Sequence, residues 1–428
     1  MSAKPPLFAL IDCNNFFVSC ERVFRPDLWD KPVAVLSNND GCIVARSNEV
    51  RALGVPMAVP LFQVRSLLKQ HNVTLFSANF RLYGDFSQRV VQILAQVAPD
   101  VEVYSVDESF LELSHLPITD YTAWAHELRQ RIWQWTGIPV SIGVAPTKTL
   151  AKGASEFAKK NPSTGGVHVL PPDDTAARQA LLRWLPVREV WGIGRGSAPK
   201  LQQRGISAAY DLSQVSEAWA HKQLSIGGLK TVKELKGQSC LALDSIHEPQ
   251  KSIARTRSFG HNVRDYYQLE GAIATFAAQA AAKLRAQQEV AAAVMVFLRT
   301  PLRFEGGCGS STVVRLGQPS SDTGTLIAAA LRGLQTIYDP DFAYKSGGVV
   351  LVGLSSNQAW QLSLLKNPAD LEKQVALMQA VDAINTKYST RLIRHTSEHL
   401  EQTNWHSKRQ RRSPAYTTSW HELPLVKA

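Results

Sequence analysis

The sequence has few cysteines, and they form no recognisable pattern. Five occur in 428 residues and none lies in a C-x-x-C pair; they are Cys13, Cys20, Cys42, Cys240 and Cys308. This scattered, odd-numbered set argues against a disulfide framework and against a structural zinc site. We therefore expect the chain to work in a reducing compartment, the cytoplasm.

The sequence also lacks a long hydrophobic run near its start. The first 17 residues contain one lysine, two prolines and only a short apolar stretch before Asp12. Such a start is typical of neither a signal peptide nor a membrane anchor. We expect no membrane partner.

The sequence has fewer acidic than basic residues. The 47 Lys and Arg residues outnumber the 36 Asp and Glu residues, for a formal net charge of +11. This surplus favours a polyanionic partner, either nucleic acid or an acidic membrane face, although solubility alone also accounts for it. Hydrophobic residues make up 44% of the chain, as in globular proteins, and the length predicts several domains.

Hydrophobic patterning predicts an α+β first domain. Residues 7–12 form an apolar run that we expect to be a buried strand delivering Asp12 to a sheet edge. The next predicted elements are a helix over 14–24, hairpin strands at 33–36 and 42–45, a helix over 79–97, strands at 101–104 and 110–113, a helix over 121–136 and a strand at 140–144. Without residues 33–78 their order is β-α-β-β-α-β, the split βαβ arrangement.

The same order of elements returns in the second half of the chain. The predicted elements are a strand near 251–259, a helix near 266–289, strands at 290–299 and 311–317, a helix near 322–337 and a strand at 347–354. Between the halves, residues 171–240 have a helical, glycine-punctuated pattern. After residue 356 the pattern weakens and ends in the basic run 408–412, so we expect a tail that is partly disordered or folds on a partner.

Three acids stand where apolar strands stop or turn: Asp12, Asp107 and Glu108. Mg²⁺ takes hard oxygen ligands from carboxylates and substrate phosphates, and a pair of such ions can activate a hydroxyl and stabilise a leaving pyrophosphate. Capping or solvated acids are the alternative, and the Asp-Glu dipeptide alone favours that alternative because it is common.

Two motifs carry a family resemblance. The segment Tyr104–Phe110 resembles the signature Y-S-[IV]-D-E-[AS]-[FY] of Y-family translesion DNA polymerases, and residues 11–17 resemble their opening D-x-[ND]-x-F-[YF]. The resemblance implies that the carboxylates of Asp12, Asp107 and Glu108, with the backbone carbonyl of Cys13, bind two Mg²⁺ ions.

The resemblance also implies a right-hand architecture. Its parts would be a palm at 7–35 and 80–165, small fingers at 36–79, a helix-hairpin-helix thumb at 166–240, a little finger at 241–355 and a tail at 356–428. The implied activity is error-prone synthesis on primer-template DNA past lesions, as in SOS mutagenesis. Fingers this short leave little room for induced-fit discrimination between nucleotides, so we expect low fidelity.

Several residues match the part of the family that holds the incoming deoxynucleoside triphosphate. Phe17 matches the aromatic that packs under the sugar, beside Phe16, although a buried core aromatic is the plain alternative. Arg51 matches the fingers arginine, whose guanidinium suits phosphate. Asn48 stands where many members have Tyr, a departure from the pattern.

A run of lysines follows the predicted strand at 140–144. Its spacing resembles the family segment K-x-L-A-K…K, in which Lys159 matches the lysine that contacts the triphosphate. Lys148 and Lys152 are expected instead to lie on the solvated face of a helix, the usual place for lysines on one side.

Two segments resemble the DNA-binding parts of the family. Gly-x-Gly turns let backbone N–H groups approach a phosphate, and such contacts position a duplex without reading its sequence. The residues of the thumb hairpin are Gly192, Gly194, Arg195 and Lys200. In the predicted edge strand at 251–259, alternation places Arg255 and Arg257 on one face, where they could follow a backbone, with ordinary strand solvation as the alternative.

The tail contains a peptide similar to those that dock on bacterial sliding clamps. Its candidate clamp-binding residues are Gln361, Leu362, Leu364 and Leu365, and Leu365 replaces the usual Phe. The stretch 413–418 resembles the end of UmuC-like members, the group to which the chain is assigned. That assignment implies a UmuD′-like dimer and a RecA filament as further partners.

Two other functions stay open on the residues. A nucleotidyl cyclase uses a similar split βαβ palm with paired acids, and the thumb hairpin argues against it. A DNA-binding scaffold with an inactive palm is the second alternative, and the intact set Asp12, Asp107 and Glu108 argues against it.

Overall fold

A computed structural model describes residues 5–244, 250–301, 309–357, 368–388, 391–398 and 405–424. The chain divides into two compact units. The first comprises Met1–Ser37, Gly41–His247 and Arg411–Ala428, and the second comprises Asn38–Asp40 and Glu248–Gln410. The C-terminal segment therefore belongs to the same unit as the N-terminal strand.

The first unit is built around two sheets. Its strands are β1 (Phe8–Cys13), β2 (Val33–Leu36), β3 (Ile43–Arg46), β4 (Thr74–Ser77), β5 (Val101–Val103), β6 (Glu108–Glu112), β7 (Val140–Ala145) and β8 (Val167–Val169). Its helices are α1 (Phe16–Val23), α2 (Asn48–Ala52), α3 (Leu61–Gln70), α4 (Phe80–Leu94), α5 (Tyr121–Thr136), α6 (Lys148–Lys160), α7 (Thr175–Trp184), α8 (Ala198–Gln202), α9 (Ala209–Gln214) and α10 (Glu217–Leu235).

The larger sheet has the order β5-β6-β1-β7-β8, and β1 is antiparallel to both neighbours. Both faces of β1 are buried from Phe8 to Ile11, which explains the unbroken apolar sequence that precedes Asp12. Ala9 and Ile11 belong to the core that α4 and α5 cover, whereas Phe8 and Leu10 belong to the core that α6 covers. The predicted β-α-β-β-α-β order is confirmed, and α6 and β8 extend it.

Helix α6 lies directly on this sheet because Gly143 of β7 has no side chain. A Cβ at Gly143 would collide with the backbone of α6 at Ala151 and Ser155. This close approach brings the polar side of α6 to the end of β1, where Asp12 lies.

The smaller sheet has the order β3-β2-β4. The predicted hairpin is confirmed, since β2 and β3 are antiparallel. Strand β4 pairs in parallel with β2 and was not predicted. The predicted helical region 171–240 contains α7, α8, α9 and α10.

The second unit contains β9 (Ser252–Val263), α11 (Tyr266–Ala286), β10 (Glu289–Arg299), β11 (Gly309–Ser320), α12 (Thr323–Ile337), β12 (Tyr344–Ser356) and α13 (Pro368–Lys387). Its sheet has the order β11-β10-β12-β9, and the predicted second β-α-β-β-α-β set is confirmed. Helix α13 lies in the tail, which we expected to be partly disordered or to fold on a partner, and this helix was not predicted. The apolar residues of α13 spread around the helix, so the sequence carries no amphipathic signal for it.

Candidate active site

Asp12 and Glu108 face each other across two strands. They are direct partners in the antiparallel register of β1 and β6. Side chains on such partners lie about 5 Å apart at Cβ. The Cys13 N–H donates to the Asp107 carbonyl over 2.8 Å, so the third acid stands at the same edge of the sheet. The structure thus brings together the three carboxylates predicted from the sequence.

A tight turn fixes the third acid, Asp107. The Ser105 hydroxyl donates to Asp107 Oδ1 at 2.5 Å and accepts from the backbone N–H groups of Asp107 and Glu108. The backbone N–H groups of Tyr104 and Ser105 both donate to the Glu108 carbonyl. The β5–β6 turn therefore holds two adjacent acids at one strand start.

Two lysines of α6 neutralise the acids. Lys159 Nζ donates to Asp12 Oδ1 at 2.8 Å, and Lys152 Nζ lies 2.8 Å from both carboxylate oxygens of Glu108. Lys152 and Lys159 are seven residues apart, two helical turns, so they project from one side of α6. The expectation that Lys152 lies on a solvated face is wrong, because its ammonium is held against Glu108.

Asp12 occupies an unusual electrostatic environment. Burial raises the pKa of Asp12 to about 6, against the opposing effect of Lys159, and the nearby negative charges of Glu108 and Asp107 add to the rise. A partly buried carboxylate beside two others needs positive charge in order to stay ionised. The site therefore requires cations.

These acids carry hard oxygen donors of the kind that Mg²⁺ takes. Within the described ranges, no group of three or more His, Cys, Asp or Glu side chains is arranged to hold a metal ion. The contacts above account for this, because lysines engage Asp12 and Glu108 and a hydroxyl engages Asp107. By charge and atom type the donor set fits a divalent cation, and here Lys152 and Lys159 balance the negative charge of Glu108 and Asp12.

A cleft of about 190 Å³ opens beside the acids. Its lining combines Asp107 and Cys13 with three cationic side chains, Arg46, Arg51 and Lys159. Sequence reasoning did not single out Arg46, whose buried Nε has no hydrogen-bond partner among the described residues. A half-buried arginine with an unpaired Nε, beside a second arginine, is suited to an anionic ligand such as a phosphate.

The start of α1 borders the same cleft. Its N-cap residue, Asn15, has a left-handed backbone conformation and makes no side-chain cap to the helix. The side-chain amide of Asn15 instead donates to Asn48 Oδ1 over 3.2 Å. Asn48, which stands where many family members have Tyr, therefore contacts the start of α1. The uncapped N–H groups of α1 and the helix dipole favour a negative ligand here.

Phe17 forms one wall of the cleft and is half-buried. Its ring stacks on Tyr83, with centroids 4.4 Å apart and an interplanar angle of 13°, and meets Phe80 edge-on at 5.9 Å. Phe16 is 3% exposed and is mainly a core residue. Phe17 is therefore supported from behind by aromatic rings and presents a free surface to the cleft.

Lys148 is buried, contrary to the expectation of a solvated face. Its ammonium lies 2.6 Å from Glu102 Oε2, and the same oxygen accepts from the Asp244 N–H. The Lys148 side chain also lies 4.8 Å from the ring centroid of Phe110. Lys148 thus ties α6 to β5 and to the chain that follows α10, and it does not reach the cleft.

Family models match most of the chain. The impB/mucB/samB family matches residues 11–156, its C-terminal domain matches 250–364, and a domain of unknown function (DUF4113) matches 375–426. The UmuC protein of Salmonella typhimurium strain LT2 is 38% identical over 425 residues, covering 98% of this chain and 100% of UmuC. The chain belongs to the impB/mucB/samB family. The predicted membership of the UmuC-like group of Y-family polymerases is confirmed.

Other relatives agree with this placement. The ImpB protein of Salmonella typhimurium is 37% identical over 429 residues, which cover 98% of this chain and all of ImpB. DNA polymerase IV of Bacillus velezensis is 27% identical over 92% of this chain and 93% of that protein. A Y-family DNA polymerase chimera of Dbh and Dpo4 has the same fold, with a TM-score of 0.65 at 22% identity over 82% of this chain and 100% of the chimera.

The segment that we predict to be the thumb hairpin exposes its candidate DNA-binding residues to solvent. Gly192 has a positive φ of 88°, and a Cβ there would come within 2.6 Å of Thr231 Oγ1. Gly194, Arg195 and Lys200 are exposed beside it. Since no side chain covers the turn at Gly194, its backbone is accessible to a phosphate.

Arg255 and Arg257 lie on one face of β9, an edge strand, as predicted. That face is the one that buries Ile253 and Phe259, so both arginines are half-buried. Burial lowers the pKa of Arg257, and the positive charges of Arg409 and Arg255 lower it further. Their contact with DNA stays a prediction.

The clamp-like peptide, with Gln361, Leu362, Leu364 and Leu365, lies outside the described residues. Among the helices that the structure does describe, none is both long enough and apolar enough to cross a membrane.

Proposed function

We propose that the chain performs template-directed, error-prone DNA synthesis past damaged template bases, as a DNA-directed DNA polymerase of the SOS mutagenesis type. Its relatives include proteins named UmuC, MucB and DNA polymerase IV. The observation that carries the proposal is the pairing of Asp12 with Glu108 across two strands, beside a cationic cleft with one aromatic wall.

Y-family polymerases depend on divalent metal. We further propose that this chain holds two Mg²⁺ ions, with ligands from Asp12, Asp107, Glu108 and the Cys13 carbonyl. When bound, they would activate the primer 3′-hydroxyl and stabilise the leaving pyrophosphate. Until then Lys152 and Lys159 balance the negative charge of Glu108 and Asp12, since each ammonium lies 2.8 Å from a carboxylate oxygen.

The cationic cleft would hold the deoxynucleoside triphosphate. Arg51, Arg46 and Lys159 supply positive charge for its phosphates, and the uncapped start of α1 supplies N–H groups. Asn48 positions this start through Asn15. Phe17 forms the wall on which the sugar would lie, so its ring would collide with a ribose 2′-hydroxyl.

DNA and protein partners complete the proposal. The exposed thumb hairpin, from Gly192 to Lys200, would position the duplex through its backbone, and Arg255 and Arg257 would add phosphate contacts. We propose that the chain works in the cytoplasm with a UmuD′-like dimer, a RecA filament and a sliding clamp, the last through the peptide that contains Gln361.

Primer extension tests this proposal against its alternatives. The purified chain, with Mg²⁺ and four deoxynucleotides, should extend a primer past an abasic site, with and without a UmuD′-like dimer and a RecA filament. A nucleotidyl cyclase would instead convert a nucleoside triphosphate to a cyclic product without DNA. A scaffold would bind the primer-template and leave it unextended, and either result would contradict the proposal.

A further inference from the structure

The C-terminal segment, residues 411–424, packs against the catalytic unit; we call it the tail segment. It joins the smaller sheet at Ser77, the last residue of β4. The Ser77 N–H donates to the Arg411 carbonyl at 3.0 Å, the Arg411 N–H donates to Ser77 Oγ at 3.0 Å, and Arg412 forms a parallel bridge with Ser77. These backbone bonds fix the register at which the tail segment enters the unit.

The next residues of the tail segment enter the core behind α1. Ser413 is 4% exposed; its hydroxyl accepts from Asn79 Nδ2 at 3.0 Å and donates to Glu21 Oε1 at 3.1 Å. Tyr416 then stacks on Phe24 with ring centroids 4.3 Å apart. The tail segment is thus held by a buried polar contact and by an aromatic contact.

Glu21 links this segment to the cleft. It is fully buried, and its Oε1 also accepts from the Tyr83 hydroxyl at 2.7 Å. Its other oxygen has no hydrogen-bond partner in the part of the chain that the structure describes. Tyr83, 1% exposed, is the ring on which Phe17 stacks at 4.4 Å. A continuous set of contacts therefore runs from Ser413 to the aromatic wall of the cleft.

We propose that the tail segment holds Phe17 in the position from which it excludes ribonucleotides, through Ser413, Glu21 and Tyr83. These three are positioning residues, since Phe17 alone would meet the sugar. The inference rests on the proposed function of Phe17. Its physical basis is that a buried carboxylate with two hydroxyl donors constrains both, so the loss of one donor loosens the other and the ring attached to it.

The selectivity for deoxynucleotides over ribonucleotides tests this proposal, because a tail that served only stability would not change it. For the full chain, the ratio of kcat/KM for a deoxynucleotide to that for the matching ribonucleotide should fall at least about fivefold in Ser413→Ala and in Tyr83→Phe. Fivefold corresponds to about 1 kcal/mol, the usual size of one hydrogen bond. Phe17→Ala, which lacks the ring altogether, gives the lowest selectivity against which the other variants are compared. The matched control is Ser419→Ala, in the same segment, whose hydroxyl makes no hydrogen bond among the described residues.

Limited trypsin digestion checks tail docking independently of activity. Arg412 is exposed, but cleavage after it requires the buried Ser413 to open. Release of the peptide that begins at Ser413 should be at least about fivefold faster in Ser413→Ala than in wild type or Ser419→Ala. Faster release with unchanged sugar selectivity, or unchanged release, would overturn the inference. A wild-type chain that incorporated no nucleotide would instead overturn the proposed function, and this inference with it.

Discussion

Replacing the buried Glu21 by Gln should change how stability depends on pH. Burial raises the pKa of Glu21 from 4.5 to about 7, although hydrogen bonds from Tyr83 and Ser413 oppose the rise. In the unfolded chain the carboxyl ionises near its ordinary pKa. Between these two values the folded state holds a proton that the unfolded state has lost, so stability falls as pH rises through this window and levels off above about 7.

The size of the effect follows from the shift. Each pKa unit is worth about 1.4 kcal/mol, so between pH 5 and pH 8 the wild-type chain should lose about 2–3 kcal/mol through Glu21. Gln has the same shape and cannot ionise. Other titrating groups, including Asp12, are common to both proteins and cancel in the comparison.

Urea unfolding of both proteins at several pH values measures this difference. The free energy of unfolding of Glu21→Gln minus that of wild type should increase by about 2–3 kcal/mol from pH 5 to pH 8. A constant offset, from the unpaired amide of Gln, does not affect that slope. A difference that stays flat with pH would mean that Glu21 is ionised throughout this range and that burial does not raise its pKa.

Three further predictions concern other parts of the chain. Phe17→Ala should raise ribonucleotide incorporation relative to deoxyribonucleotides in steady-state kinetics, and an unchanged ratio would make Phe17 an ordinary core aromatic. Gly143→Ala should lower the free energy of unfolding by about 1–3 kcal/mol or more in urea titrations, since its Cβ collides with a helix backbone; a neutral effect would mean that α6 can shift. Replacing Gln361, Leu362 and Leu365 by Ala should weaken clamp binding at least about tenfold in a titration, whereas Leu365→Phe should tighten it. Equal affinities would show that this peptide is only tail sequence.

Local signals in the sequence were enough to predict the elements that carry the acids. Helix α5 has the predicted bounds because Asp120 caps its start and Gly137, with a φ of 70°, ends it. Strand β1 was predicted because it is apolar from Phe8 to Ile11, and the motif around Asp107 located the turn. These signals lie within a few residues of the feature that they predict.

Contacts between distant segments could not be predicted in this way. Ser413 and Glu21 are 392 residues apart in sequence, and no periodic pattern reports that they meet. Lys148 and Lys152 have the spacing of lysines on an exposed helical face, yet they form ion pairs with Glu102 and Glu108. In both cases a carboxyl group from a distant part of the sequence fixes the position of the side chain, and this pairing is visible only in the folded chain.

We expect the carboxylates at the end of β1 and the start of β6 to be essential for metal-dependent nucleotidyl transfer. Glu108→Gln tests this expectation most directly, with Glu112→Gln as a matched control four residues along the same strand. We predict that Glu108→Gln lowers the Mg²⁺-dependent rate of primer extension at least about a hundredfold, the usual cost of losing one electrostatic contact to the transition state. Affinity for primer-template should stay unchanged, and Glu112→Gln should extend like wild type. Extension by Glu108→Gln at close to the wild-type rate would mean that Glu108 takes no part in nucleotidyl transfer.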